Sequence, residues 1–344
     1  MSALGALALV RRGIENPDVE QPPNASNPLP VVILSLTVVL FAAALSCASY
    51  SLGKVVTTIA AVEDPNPDVY VRIENDTPVV PESALDDVES LPPPKPITSS
   101  LRATVRHLNA RGGRRSLFRG IILYILTGIA INVVSYPASA AFNIVGSILA
   151  RFVAEILLAN LRVGWIHIVI SEPSKKSLWS RIPVWRKTVV KIAPAAAIRS
   201  AVAQIVTFVP ILIANHSGIF SNALANTPKT SLSGGFGLVA LHLVLYVLVQ
   251  MPAEVTFIRV AASMLPEDDE SIVPFDRSFG GKVTPEIVGG QGKIGIVDAW
   301  RSFGWGSRMR FLSVVGKVFL VQVALGAAFW LLLATELVII SSSN

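Results

Sequence analysis

Residues 30–62 read PVVILSLTVVLFAAALSCASYSLGKVVTTIAAV, with Lys54 the one charged side chain. A helix rises about 1.5 Å per residue and needs roughly 20 apolar residues to cross a bilayer's hydrocarbon. The stretch is longer than that, so it predicts a spanning helix that tilts or protrudes into water. Five further runs repeat the pattern, at about Phe118–Tyr136, Ala140–Ile170, Val189–Ala214, Phe236–Leu265 and Phe311–Ile340. Pro137 marks the expected end of the second, and Pro252 interrupts the fifth. The third carries Arg151, Glu155, Arg162 and His167. Ionisable groups inside a span are costly against lipid, so these four should face protein or water. The fold class expected is an all-α integral membrane protein of six transmembrane helices.

Composition agrees. Charged residues make up 15% of the chain and mean hydropathy is +0.58, whereas a soluble domain carries roughly 25% charged residues. The net charge of +6 is unevenly spread. Residues 63–98 hold nine acids, two bases and eight prolines, and the remainder has 27 bases against 14 acids. That segment reads as an exposed, extended acidic linker, and the proline-containing residues 1–29 as a disordered tail. The bases gather in the loops after the first, third and fifth spans, where Lys and Arg meet lipid headgroups and set topology. Those three loops are expected in one compartment, and the termini, including residues 341–344, in the other. The bilayer is thus the first expected partner.

Several classes are excluded. No nucleic-acid-binding motif accompanies the positive charge. The single cysteine, Cys47, rules out an intrachain disulfide and a Cys-based zinc site, and the four histidines show no metal-ligand spacing. No nucleophile with a base, no phosphate-cradling glycine loop and no paired-carboxylate signature is present. Neither an enzyme nor a cofactor or metal site is expected.

Long charged loops alternate with short uncharged ones, which invites a search for internal repeats. Three blocks emerge, at about 30–137, 138–214 and 235–340, each with a short loop helix expected at Ser99–Gly112, Lys176–Arg186 and Lys293–Gly304. The stretch Pro252-Ala253-Glu254-Val255-Thr256-Phe257-Ile258-Arg259 resembles the signature of the mitochondrial carrier family at the kinks of its odd helices. Gly295 to Trp300 and Gly113 to Gly120 resemble that family's loop helix and the start of its even helix. The resemblance covers about residues 30–340 and implies six helices in three pseudo-repeats, in a mitochondrial membrane, inner or outer.

Aligned on that pattern, the kinks fall at Ser51, Ala159 and Pro252. The resemblance implies an acid and a base at each kink, joined in a ring of ion pairs that closes one mouth of the cavity. Here the acid positions read Gly53, Leu161 and Glu254, and the base positions Val56, Gly164 and Phe257. Glu254 and Arg259 stand as a gate remnant or a structural pair. Counting along the even helices puts candidate substrate contacts at Thr127, Arg199 and Lys317, the two cations suited to an anionic metabolite. Two functions follow from the resemblance. One is a divergent carrier moving a small anionic solute. The other is a carrier-derived scaffold, fusion or insertase factor that no longer transports and binds partner proteins through residues 63–98.

Overall fold

The computed structural model describes residues 29–64, 95–141, 144–219, 228–284 and 289–342. Most of the predicted tail 1–29 and most of the acidic segment 63–98 lie outside these residues. Among the described residues five helices are long and apolar enough to cross a membrane, and a sixth span arises if a pair bent by 55° counts as one. The chain is an all-helical, multi-pass membrane protein. Its surface agrees, because large side chains such as Val31, Leu40, Ile122, Ile129, Val133, Leu320 and Leu331 are exposed along these helices. In water such continuous apolar faces would drive aggregation; in a span they face lipid.

The helices are α1 (Leu29–Tyr50), α2 (Thr57–Val62), α3 (Leu101–Gly112), α4 (Ile121–Ala141), α5 (Ile144–Leu157), α6 (Ala159–Ile170), α7 (Trp185–His216), α8 (Pro228–Leu245), α9 (Met251–Ala262), α10 (Ile296–Arg301) and α11 (Trp305–Ser342). Wide π turns, Ser51–Val56 and Tyr246–Gln250, join α1 to α2 and α8 to α9. Between α5 and α6 the helix breaks at Leu158, with φ −98° and ψ 15°.

The chain divides into two compact units, residues 1–47 with 321–344, and residues 48–320. In the first, Phe41 packs on Phe329 with ring centroids 5.3 Å apart. Thr37 Oγ1 donates to Glu336 Oε1 at 2.6 Å, which gives this intramembrane carboxylate a partner. In the second, α2, α6 and α9 pack on one another and, with the π turn before α2, supply the core: Val55, Val56, Ile59, Val163, Ile166, Ile170, Phe257 and Val260 are all at most 1% exposed. His167 Nε2 lies 2.8 Å from Ala261 O and so satisfies the carbonyl. The first loop after α2 is anchored by Glu63, which accepts from the amides of Ile97 at 2.5 Å and Thr98 at 3.0 Å.

Several sequence expectations need correction. Pro137 lies inside α4 rather than ending it, because proline removes one amide donor and a span supported by its neighbour continues past it. The loop helix expected at Lys176–Arg186 is a single 3-10 turn, Trp179–Arg181, and that at Lys293–Gly304 shortens to α10. The fourth span begins at Trp185, so Arg186 and Lys187 sit in its first turn.

Gly120 shows how closely the second unit is packed. Its φ is +69°, and an added Cβ would lie 2.9 Å from Trp165 Cδ1 and 3.3 Å from Ile168. Trp165 is held in turn, since its Nε1 donates to Tyr50 Oη at 3.1 Å. Gly120→Ala is therefore expected to cost about 2 kcal/mol from the left-handed backbone and the clash together. Gly316→Ala, inside α11 with nothing near its Cβ, should leave stability unchanged or raise it by up to about 1 kcal/mol. Thermal unfolding of both purified variants in detergent checks the contrast.

Candidate functional site: an arginine-lined cavity inside the second unit

Arg151 and Glu155 are four residues apart and share one face of α5. The break at Leu158 then bends the chain by 55°, which swings Arg162 of α6 back toward that face. Arg199 arrives from α7 and Glu254 from α9. The result is a network of three guanidinium groups and two carboxylates within the spans, with the Lys54 ammonium as a further cation close enough to act on Glu254. Arg199 Nη2 donates to Glu155 Oε2 at 2.5 Å, and its Nη1 lies 3.5 Å from Glu254 Oε2. Arg151 Nε and Arg162 Nη2 stand 3.6 and 3.8 Å from Glu155 Oε1. Glu155 is 4% and Arg199 6% exposed, so their charges are withdrawn from water and rely on each other. The Arg199 guanidinium also lies 5.2 Å from the centre of the Phe257 ring, a cation–π contact that spreads its charge over the aromatic face.

Beside this network is a cavity of about 190 Å³ lined by Tyr124, Ile125, Thr127, Gly128, Ile131, Arg151, Arg162 and Trp165. The side of the cavity toward α5 and α6 is cationic, whereas α4 gives it an aromatic and aliphatic wall. Arg162 Nε is buried and has no hydrogen-bond partner. A buried donor left unsatisfied costs about 1–3 kcal/mol, and the network bears that cost at this atom. No family model, no curated protein and no solved structure matches the chain. The site therefore rests on its own geometry.

That geometry redistributes the residues nominated from the sequence. Thr127 does line the cavity, but its hydroxyl donates to Leu123 O at 2.7 Å and presents only lone pairs to an anion. Arg199 is committed to the two glutamates and does not line the cavity. Lys317 is elsewhere: its exposed ammonium donates to Ser99 O at 3.1 Å. Glu254 and Arg259 do not pair with each other. Arg259 turns to the core's far side, donating to Ala299 O at 3.0 Å, Ala61 O at 3.1 Å and Ser302 Oγ at 3.0 Å. It thereby ties α9 to the ends of α2 and α10. The cations that do line the cavity, Arg151 and Arg162, were not among the nominated contacts. Their signal was the spacing of Arg151, Glu155 and Arg162 within one apolar run, which places two bases around one acid.

Outside the spans, Asp276 shows the electrostatics of the loop after α9. Burial acts to raise its carboxyl pKa, but hydrogen bonds from Ser278 Oγ and from the amides of Gly280, Ser278 and Phe279 outweigh this and hold it below the usual carboxylate range. The turn is thus fixed in its ionised form.

Proposed function

We propose that the chain is a carrier-like membrane protein that binds a small anion between Arg151 and Arg162 and moves it across the bilayer. The observation that carries this reading is the pair of cavity-facing arginines sharing a single carboxylate. Two cations set against one acid within a span leave a local positive surplus, which an anionic solute neutralises. The three helix irregularities at Ser51–Val56, Leu158 and Tyr246–Gln250 are at or next to the kinks aligned from the sequence. They support the proposed three-repeat arrangement; a mitochondrial membrane as the site of action is proposed from the carrier resemblance alone.

A second reading has an observation of its own. Val56 and Phe257 occupy two of the positions where a carrier has gate charges, and both are buried in apolar packing. No salt-bridge ring is available at Gly53, Leu161 or Gly164 to tip the balance between two closed states. A protein so built serves as a scaffold, fusion or insertase factor. Uptake into proteoliposomes separates the two readings. With internal phosphate or carboxylates as counter-substrate, transport predicts saturable uptake that Arg162→Ala lowers at least about tenfold, the scale of one lost charge-assisted contact. Lys317→Ala leaves it unchanged. Absence of saturable uptake across such a panel favours the scaffold.

A further inference from the structure

We propose that the arginine face of α3 is a docking surface for the chain's own acidic stretch at residues 82–89, which lies outside the described residues. The inference is independent of both functional readings above. It rests on the open face of α3, on charge, and on where the chain leaves and rejoins the described structure.

The face comes first. Of the 12 residues of α3, Thr104 and Leu108 are buried, and His107 Nε2 lies 2.8 Å from Ile272 O. Arg102, Ala103, Arg106 and Ala110 are exposed on the opposite side. Arg102 and Arg106 are one helical turn apart and so share that face. Arg114 and Arg115 follow in an exposed 3-10 turn. Among the described residues none of these four guanidinium groups forms an ion pair, whereas Arg111 pairs with Glu172. Like charges one turn apart on a helix oppose each other, and residues 90–154 contain no acid to relieve them. The face thus lacks its counter-charge.

Charge and connectivity identify the occupant. Glu82, Asp86, Asp87 and Glu89 put four carboxylates and no base into eight residues, equal in number to the four arginines and opposite in sign. Guanidinium–carboxylate contacts are among the strong hydrogen-bonded pairs. The acids are also tethered close by. Glu63 accepts from the amides of Ile97 and Thr98, so the chain leaves and rejoins the second unit at one point, just before α3 begins at Leu101. The connection from Glu89 to Ile97 spans about 25 Å when extended, whereas the whole of α3 is about 18 Å long. Every arginine on the helix is therefore within reach. So short a tether holds the acids at an effective concentration of about millimolar, an advantage that a second copy or a free acidic protein does not have.

Carbodiimide coupling tests the contact. Arg106→Lys keeps the charge and supplies an amine that the reagent joins to a neighbouring carboxylate. In the full-length variant purified in detergent, mass spectrometry is expected to find an amide link from position 106 to one of the four acids at 82–89. Its yield should fall severalfold at about 1 M salt, where charges are screened beyond about 3 Å. It should also fall severalfold when Arg102→Gln, Arg114→Gln and Arg115→Gln are added. Lys176 and Asp269, 2.8 Å apart, are the internal control for the reagent. Absence of the link from position 106 beside a normal Lys176–Asp269 link overturns the inference. A link between isotopically light and heavy chains mixed in equal amounts gives the face to a second copy and overturns it. So does a link that forms in nanodiscs of phosphatidylcholine but is lost when phosphatidylserine is included, since lipid headgroups then hold the face.

Discussion

Glu155→Ala is expected to be among the most destabilising substitutions in the second unit, lowering stability by about 3–5 kcal/mol. The side chain is 4% exposed and holds Arg199 at 2.5 Å, with Arg151 and Arg162 within 4 Å. Its removal leaves three guanidinium groups facing one another, with Glu254 at 3.5 Å from Arg199 as the remaining carboxylate. No bulk water is at hand inside a span to solvate the surplus. The argument also predicts the sign of a rescue. A buried ion pair replaced on both sides by apolar groups is often neutral, whereas breaking it on one side is not. Glu155→Leu combined with Arg199→Met should therefore lose less than the sum of the two single variants, although Arg151, Arg162 and Glu254 each still lack the partner removed. Thermal unfolding in detergent of the two single variants and the double variant provides the coupling energy. A loss in the double variant equal to the sum of the losses in Glu155→Leu and Arg199→Met would show that the contact contributes nothing specific.

The same network marks where the sequence is informative and where it stops. Long apolar runs disclose the spans because a bilayer imposes a length on every segment that crosses it. They also disclose which residues cannot face lipid, and Arg151, Glu155, Arg162 and His167 are all turned inward or toward a cavity. What the runs do not disclose is who pairs with whom. Arg199 looks like a free cation on its own helix, and only the approach of α5 and α9, 44 and 55 residues away, commits it to carboxylates. Arg259 is similar: spacing along α9 suggests Glu254 as its partner, but carbonyls on α2 and α10 capture it. Helix ends were misplaced for a related reason. Pro137 is a stop signal in water that the helix packed beside α4 overrides, whereas Arg186 and Lys187 are exposed in a first turn that extends α7 beyond its apolar run.

The core is apolar at Val56 and Phe257, where the carrier resemblance implies bases. An apolar seal is held by burial, about 25 cal/mol per Å² of area removed from water, and has no inherent preference for one partner position over another. Charges are directional and can exchange. The proposed transport reading accordingly assigns the exchange to the arginine–glutamate network. Under the proposed anion-binding reading, an anion at Arg162 would compete with Glu155 for that base and loosen the link from α6 to α5, while Arg199 keeps α5 tied to α9.

Glu63→Ala is expected to loosen the base of the first loop and to lower stability by about 3 kcal/mol or more. Glu63 is 2% exposed at the end of α2. Its carboxylate accepts from the amides of Ile97 and Thr98 and from the Thr98 hydroxyl, and Arg310 Nη1 lies 3.8 Å away. Removing it leaves buried donors without an acceptor at about 1–3 kcal/mol each, and leaves Arg310, whose side chain is 9% exposed, without its nearby carboxylate. Arg310 Nη2 still donates to the Glu63 carbonyl at 2.7 Å, so part of the anchor to α11 survives any side-chain change. Glu63→Gln retains one acceptor oxygen and should lose less than Glu63→Ala. The consequence is local as well as global, because these bonds span 34 and 35 residues and fasten the chain where it returns to the membrane before α3. Amide hydrogen exchange should accordingly rise first at Ile97 and Thr98 and through α3, ahead of α6 and α9, whose core contacts the substitution leaves intact. Exchange that increases equally in all three helices would instead mean that Glu63 supports the whole unit and is no special fastening of the loop.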